Sequence, residues 1–323
     1  MAAECVIGVD LGGTKLLAGA LDDGLGVHHR VQRPVHGLPQ RELLEAVVAA
    51  VEEARAAAPA EVAAVGFGIP CLIDQRHGMA LMAVNLALAD VPFRDLMAER
   101  LGLPVELDND ANCAALAELR AGAAQGADDA VVLTIGTGIG GGLILGGEVY
   151  RGAIGAGAEL GHMTIDLDGP RCQGNCPNRG CLETLASGTA LAREARRIAG
   201  ERADSQLGRA LADGREITGA LVTELAHDGD EAAVEAIALI GRNLGVGIAA
   251  LLNIFNPDVV VVGGGVIAAG DLLLEPARAE VAERALPPVR DHARVVPAQF
   301  GVEAGMVGAG ALALSHVRGT GVA

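Results

Sequence analysis

Short apolar runs that end in glycine alternate with stretches of helical period along most of this chain. Residues 5–11, CVIGVDL, form such a run. They meet Gly12-Gly13 and resume as the apolar segment TKLLAGAL at 14–21 before the turn DDG, which predicts a β-hairpin around the glycine pair. Apolar residues at 43, 44, 47, 48, 51 and 54, with Pro39 as a start signal, predict a helix over 39–58. A buried strand is expected at 62–70 and another at 104–112, the latter running into Asp108, Asn109 and Asp110. A helix follows it, with Gly122 placed to cap it. Residues 130–152 read as strand, glycine loop, strand, Gly-Gly turn and strand, so they repeat the plan of the first hairpin and point to an internal duplication.

Helices are expected over 185–200, through the charged region 203–235, and over the apolar stretch 232–252, where Gly241 and Gly245 lie four apart and permit close helix contact. A buried strand with a third glycine loop (257–270), a further helix and a small-residue helix at 303–317 complete the pattern. Strands alternating with helices predict an α/β chain built mainly on mixed sheets.

A length of 323 residues suggests two domains. At 51% hydrophobic but 2% aromatic, the core must be Ala, Val, Leu and Ile packed around many of the 46 glycines. A net charge of −17 repels phosphate backbones and argues against nucleic acid as a partner. The apolar stretch at 232–252 is interrupted by Glu235, Arg242 and Asn243, which reads as a buried helix rather than a membrane span. The N-terminus shows neither a basic n-region nor a cleavage-like site, so a cytoplasmic protein is expected. Its six cysteines are then reduced thiols and not a disulfide framework.

The three glycine loops, DLGGTK, TIGTGIGGG and VGGGVIAAG, bring backbone N–H groups toward a ligand. None matches the Walker P-loop. Gly136, Gly138 and Gly141 satisfy G-x-G-x-x-G, but the following LILGGEVY reads as a strand where a dinucleotide fingerprint opens a helix. The third loop lacks the acidic residue at a following strand end. Lys15 is the only lysine in the chain: a plain surface residue, or a cation beside phosphates. Asp10 ends an otherwise apolar strand before the first loop, and serves either the turn or a Mg²⁺ site.

LDNDAN places Asp108, Asn109, Asp110 and Asn112 at a strand-to-helix switch. Asp and Asn favour helix starts, and Asp110 is also placed to take a proton from a hydroxyl nucleophile. Further on, His162, Cys172, Cys176 and Cys181 form a Cys₃His set, with turns from Gly174, Pro177 and Gly180. Four such ligands close a tetrahedral Zn²⁺ site with no open position, so this zinc is expected to be structural. Cys5, Cys71 and Cys113 are dispersed and read as buried thiols.

In this order, GVDLGGTK, LDNDAN, TIGTGIGGG, GAELGH, the cysteine cluster running into GCLE, and VVGGGV resemble the ROK family (repressor, open reading frame, kinase) of sugar kinases, over about residues 5–315. Two features depart from the family pattern. The first cysteine gap is two residues longer, with Pro177 where glycine is common, and no Trp follows the Asn85-Leu86 pair.

The resemblance implies two ribonuclease-H-like domains of the actin/hexokinase/Hsp70-like kind flanking a cleft: a small one at 1–114 with the helix 303–323, and a large one at 115–302 with the zinc loop and a dimer interface. It implies ATP-dependent phosphorylation of the glucose 6-hydroxyl, with Asp110 as general base. Gly68, Asn85, Asn109, Glu159, His162 and Glu183 would contact the sugar, with His162 also on zinc. Asp10, Gly12, Gly13, Thr14, Lys15, Thr137 and Gly138 would line the phosphate and Mg²⁺ side, and Gly263 and Gly264 the adenosine side. Glucose or a related hexose and ATP are the expected partners, in a homodimer or homotetramer. A kinase for another hexose or for N-acetylmannosamine, and a sugar-responsive regulator of the same family, are the alternatives. Such regulators carry a helix-turn-helix arm, whereas here the first strand begins by about residue 5.

Overall fold

The computed structural model describes residues 4–83 and 86–319. In chain order the elements are β1 (Cys5–Leu11), β2 (Lys15–Leu21), β3 (Val27–Pro34), α1 (Gln40–Ala56), β4 (Val62–Ile69), β5 (Cys71–Asp74), β6 (Met79–Ala83), β7 (Ala89–Val91), α2 (Phe93–Leu101), β8 (Val105–Asn109) and α3 (Asp110–Ala121). There follow β9 (Ala130–Ile135), β10 (Ile139–Leu145), β11 (Glu148–Val149), α4 (Leu182–Ala186), α5 (Gly188–Glu201), α6 (Gln206–Ala212), α7 (Gly219–His227), α8 (Glu231–Phe255), β12 (Val259–Gly263), α9 (Asp271–Arg284), α10 (Pro287–His292), β13 (Arg294–Pro297) and α11 (Ala304–Val317).

The chain divides into two units. Unit 1 is Met1–Gly126 with Gly142–Ala158 and Gln299–Ala323, and unit 2 is Ala127–Gly141 with Glu159–Ala298. Against the boundaries expected at 114 and 303, unit 1 runs on to Gly126, takes in Gly142–Ala158, and resumes at Gln299.

Unit 1 holds a five-stranded sheet of order β3-β2-β1-β4-β8. The β1–β2 hairpin is antiparallel, as the Gly12-Gly13 turn predicts, while β4 and β8 join parallel on the other side. A three-stranded sheet β5-β6-β7 lies in a stretch where the hydrophobic pattern marks no element. Helix α11 packs on β1, β4 and α3, and here the glycine content has a direct use. A Cβ at Gly8 would lie 2.0 Å from the Met306 carbonyl oxygen, one at Gly66 1.8 Å from that of Ala309, and one at Gly308 1.6 Å from that of Cys113. Backbone meets backbone at these points, so a core nearly free of aromatic rings still packs closely.

A second five-stranded sheet has the order β11-β10-β9-β12-β13, with β12 parallel to both β9 and β13. Strand, glycine turn, returning strand and two parallel additions thus occur in both five-stranded sheets, the duplication expected from the loops. The apolar helix α8 packs against α4, α5, α7 and α9. Gly241 and Gly245 allow this contact, since a Cβ at either would come within 2.5 Å of the Leu273 or Ala277 carbonyl oxygen of α9. Helix α8 is long and apolar enough to cross a membrane by composition, yet its apolar face forms the core of unit 2.

The structure corrects three local expectations. The helix expected over 185–200 is broken at Ser187, which caps α5 by accepting the Ala190 N–H. The region 203–235 is not one helical run but α6, α7 and the start of α8, capped by Ser205, Thr218 and Asp230. Gly122 ends α3 without the left-handed conformation of a glycine cap (φ −120°). Its need for glycine is steric instead, because a Cβ there would sit 2.3 Å from Glu118 Oε2.

Candidate functional site

In unit 1 three parallel strands bring their C-terminal ends to one edge, where ligands of open α/β sheets bind. The register sets Asp10 opposite Gly68, and Gly68 opposite Asp108. The turn after β1 closes by a bond from Gly12 N–H to the Lys15 carbonyl (3.0 Å). At the start of α11, Gly305 leaves room for the Asp10 carboxyl: a Cβ would lie 2.7 Å from its Cγ. Burial first, then the charge of Asp110, raise the pKa of Asp10 to about 7, against a downward pull from Lys15.

Asp110 opens α3, and Asn109 is its N-cap. The Asn109 Oδ1 accepts N–H bonds from Ala111 (2.9 Å) and Asn112 (3.4 Å). Asp108 is 3% exposed, and both of its oxygens are engaged. Oδ1 accepts from Asn109 N–H (2.8 Å) and Asn112 Nδ2 (2.9 Å). Oδ2 accepts from Arg151 Nε (2.8 Å) and Nη2 (2.6 Å). A carboxylate so satisfied is structural.

In unit 2 the second glycine loop, Gly136–Gly138, joins β9 to β10. It is fastened to the start of α5, where Gly188 N–H donates to the Gly136 carbonyl (2.8 Å) and Thr189 Oγ1 to the Thr137 carbonyl (2.7 Å). Glu183, in the first turn of α4, accepts the Ile139 N–H at 2.9 Å. The third loop backs directly onto the second. Gly264 has φ +83°, and a Cβ there would fall 2.4 Å from the Ile135 carbonyl oxygen, so only glycine serves at this position.

The Cys₃His set is assembled as the sequence predicts. One donor atom from each of His162, Cys172, Cys176 and Cys181 lies within 4.8 Å of every other. The longer first cysteine gap is taken up by a turn at Gly174 (φ +57°), so Cys172 keeps its place, 3.4 Å from His162 Nδ1. Burial and the adjoining thiols of Cys181 and Cys176 push the Cys172 thiol up to about 12, and burial raises Cys181 as well. Three crowded thiols beside an imidazole are matched to a soft dication, which deprotonates thiols on binding.

The other ring nitrogen of His162, Nε2, faces Glu159 Oε2 at 4.0 Å. Cys181 is also the N-cap residue of α4, and Leu182 N–H bonds to the Met163 carbonyl (2.8 Å). The metal set therefore fixes His162 and Glu183 through a few rigid bonds.

The predicted residues thus fall into two groups. Asp10, Gly12, Gly13, Thr14, Lys15, Gly68, Asn109 and Asp110 belong to unit 1, and Thr137, Gly138, Glu159, His162, Glu183, Gly263, Gly264 and the three cysteines to unit 2. Asn85 lies outside the described residues. Sequence reasoning missed Arg151, Glu118 and the Ser187–Thr189 latch. Ser187 ahead of a helical run carries an N-cap signature that marks the latch. Arg151 and Glu118 act on partners far away in the chain and have no local signal.

Residues 6–316 match the ROK family. A glucokinase of Streptomyces coelicolor is 37% identical over 316 residues, which cover 95% of this chain and 96% of that protein. A putative xylose repressor of a Caldicellulosiruptor species is 35% identical over 97% of this chain and 78% of its own length. The crystal structure of a ROK family glucokinase from Streptomyces griseus in complex with glucose and AMPPNP is similar with a TM-score of 0.84 at 39% identity, covering 96% of this chain and 99% of that one.

Proposed function

The chain belongs to the ROK family, and from that premise we propose that it is a sugar kinase that transfers the terminal phosphoryl group of ATP to the 6-hydroxyl of glucose. Glucokinases similar over nearly the full length of both chains support this reading. The observation that carries it is local: Asp110 heads α3 at the edge where β1, β4 and β8 end, on a segment that Asp108 holds through Arg151, Asn109 and Asn112.

In this mechanism the Asp110 carboxylate takes the proton of the 6-hydroxyl as its oxygen bonds to phosphorus and ADP leaves. Glu159, His162, Glu183, Gly68, Asn85 and Asn109 orient the sugar. For Asn109 the contributing group is Nδ2, because Oδ1 caps α3. The amides of Gly12, Gly13, Thr14 and Gly138 and the Thr137 hydroxyl line the phosphates, with Lys15 as a nearby cation, and Gly263 and Gly264 back the adenosine. The charge of Asp110 adds to burial in raising the affinity of Asp10 for a positive charge, so Asp10 is suited to hold Mg²⁺ with the nucleotide. The ion supplies charge neutralisation along the phosphates.

We assign the Cys₃His set to structural zinc. Its use is positional: errors of ~1 Å in holding a substrate can lower a rate by ~10²-fold, and this staple fixes the loop that carries His162 and Glu183. ATP as donor and reduced thiolates as ligands both suit a cytoplasmic protein. Ile254 and Leu286 are 65% and 59% exposed, and a homodimer or homotetramer would cover such side chains.

The division of the chain into an N-terminal domain completed by the C-terminal helix, and a second domain with the zinc loop, belongs to the same reading. The repressor relative favours a second one, a sugar-responsive regulator that binds sugar without turnover. A panel of glucose, other hexoses and N-acetylmannosamine with ATP, GTP and polyphosphate separates the readings. The highest kcat/KM is expected for glucose with ATP; sugar binding with no phosphorylated product would establish the regulator instead.

A further inference from the structure

Arg151 is the cation on which Asp108 depends. Both side chains are nearly enclosed, at 13% and 4% exposed, and two guanidinium nitrogens converge on the single oxygen Oδ2. The remaining nitrogen, Nη1, donates to the Val149 carbonyl (3.2 Å), which fixes the guanidinium from the β11 side. Beyond Asp108 the chain of bonds continues into the candidate catalytic segment. Its Oδ1 holds the Asn109 backbone N–H and the Asn112 side chain, one residue before and two residues after Asp110. The Cys113 thiol in the first turn of α3 is pushed up by burial first and then by the charges of Asp108, Asp10 and Asp110, against a downward pull from Arg151.

A buried carboxylate is tolerated only while its counter-charge is present; once that is removed it must protonate, rotate away or admit water. Rotation or hydration of the carboxylate releases Asn109 N–H or Asn112 Nδ2, and with them the first turn of α3, because both donors meet the one oxygen Oδ1. We propose that Arg151 is a positioning residue for phosphoryl transfer: through Asp108 it locks the start of α3, and so sets the place of the Asp110 carboxylate. The proposal rests on the kinase reading above. Arg151 reaches Asp108 from a separate passage of the chain through unit 1, so the lock joins the segment after β11 to the β8–α3 switch.

The test compares Arg151→Met, Arg151→Lys and the double variant Asp108→Asn/Arg151→Met with the wild-type enzyme. Wild-type turnover of glucose with ATP establishes the underlying reading first, and its absence would sink that reading independently of this one. Arg151→Met should lower kcat by ~10²-fold with a smaller rise in KM for glucose, because Asp110 and Asn109 shift while Glu159, His162 and Glu183 stay. The double variant removes the buried charge, and its introduced amide oxygen still accepts from Asn109 and Asn112, so kcat should recover to within about tenfold of wild type. Arg151→Lys keeps the charge without the paired contact and should fall between. It carries the comparison if Arg151→Met does not fold. Near-wild-type kcat in Arg151→Met, or a loss that Asp108→Asn fails to restore, would overturn the proposal.

Discussion

Glu183 Oε2 lies 2.9 Å from the Ile139 amide nitrogen and occupies the space that a side chain at Gly138 would need. The acid assigned to the sugar therefore also braces the loop assigned to phosphate. A Cβ at Gly138 would sit 2.2 Å from that oxygen. Gly138→Ala should push the Glu183 carboxylate aside, because the clashing atom is the far end of a flexible chain. The fold is expected to lose only ~1–2 kcal/mol, while kcat/KM falls by ~10²-fold. Thermal unfolding and steady-state kinetics on the same preparation check both parts.

Asp10 gives a pH signature whose sign is fixed. Its pKa is raised from 3.8 to about 7 in the folded protein, so between those values the native state holds a proton that the unfolded chain has released. Stability from this group is therefore greatest in acid and declines as pH rises toward 7. Asp10→Asn should stabilise the metal-free protein at pH 8, on the order of 1–3 kcal/mol, with the gain vanishing as pH falls below about 4, and it should lower kcat severely. Denaturant melts of both proteins at pH 4 and pH 8 test the sign.

Metal analysis of freshly purified protein should find about one zinc per chain. Cys176→Ser should lose the ion and raise KM for glucose by ~10-fold or more, since His162 and Glu183 lose their common anchor. Protein with full activity and no bound zinc would remove the staple from the account.

Glu118 is fully buried and accepts the N–H groups of Ala123 (2.8 Å), Gln299 (3.0 Å) and Phe300 (3.1 Å). Glu118→Leu leaves these donors without their acceptor and should cost ~3–5 kcal/mol. Glu118→Gln keeps one acceptor oxygen and should cost less. Chemical denaturation resolves the two.

What the sequence made legible was local. Apolar runs that stop at glycine mark β1, β4, β9 and β12, and the Cys/His spacing marks the metal set, because the residues involved sit within one loop or one turn. Gly241 and Gly245 were readable as a helix contact for the same reason. The partners of Asp108 and Glu118 were not readable: Arg151 is 43 residues from the first, and Gln299 is 181 from the second. Nothing in a neighbouring residue records such a contact; burial creates the demand for a counter-charge or donors, and the fold decides which chain segment meets it. The sheet β5-β6-β7 escaped for another reason: its strands are three to five residues long, too short for a period to show.

The most direct measurement concerns Asp110. In Asp110→Asn the side chain keeps its size and loses its basicity. Glucose should bind by calorimetry within about threefold of wild type, while kcat for glucose 6-phosphate formation falls by ~10²–10⁴-fold. Turnover near the wild-type rate in that variant would show that another group takes the proton, and would contradict the account.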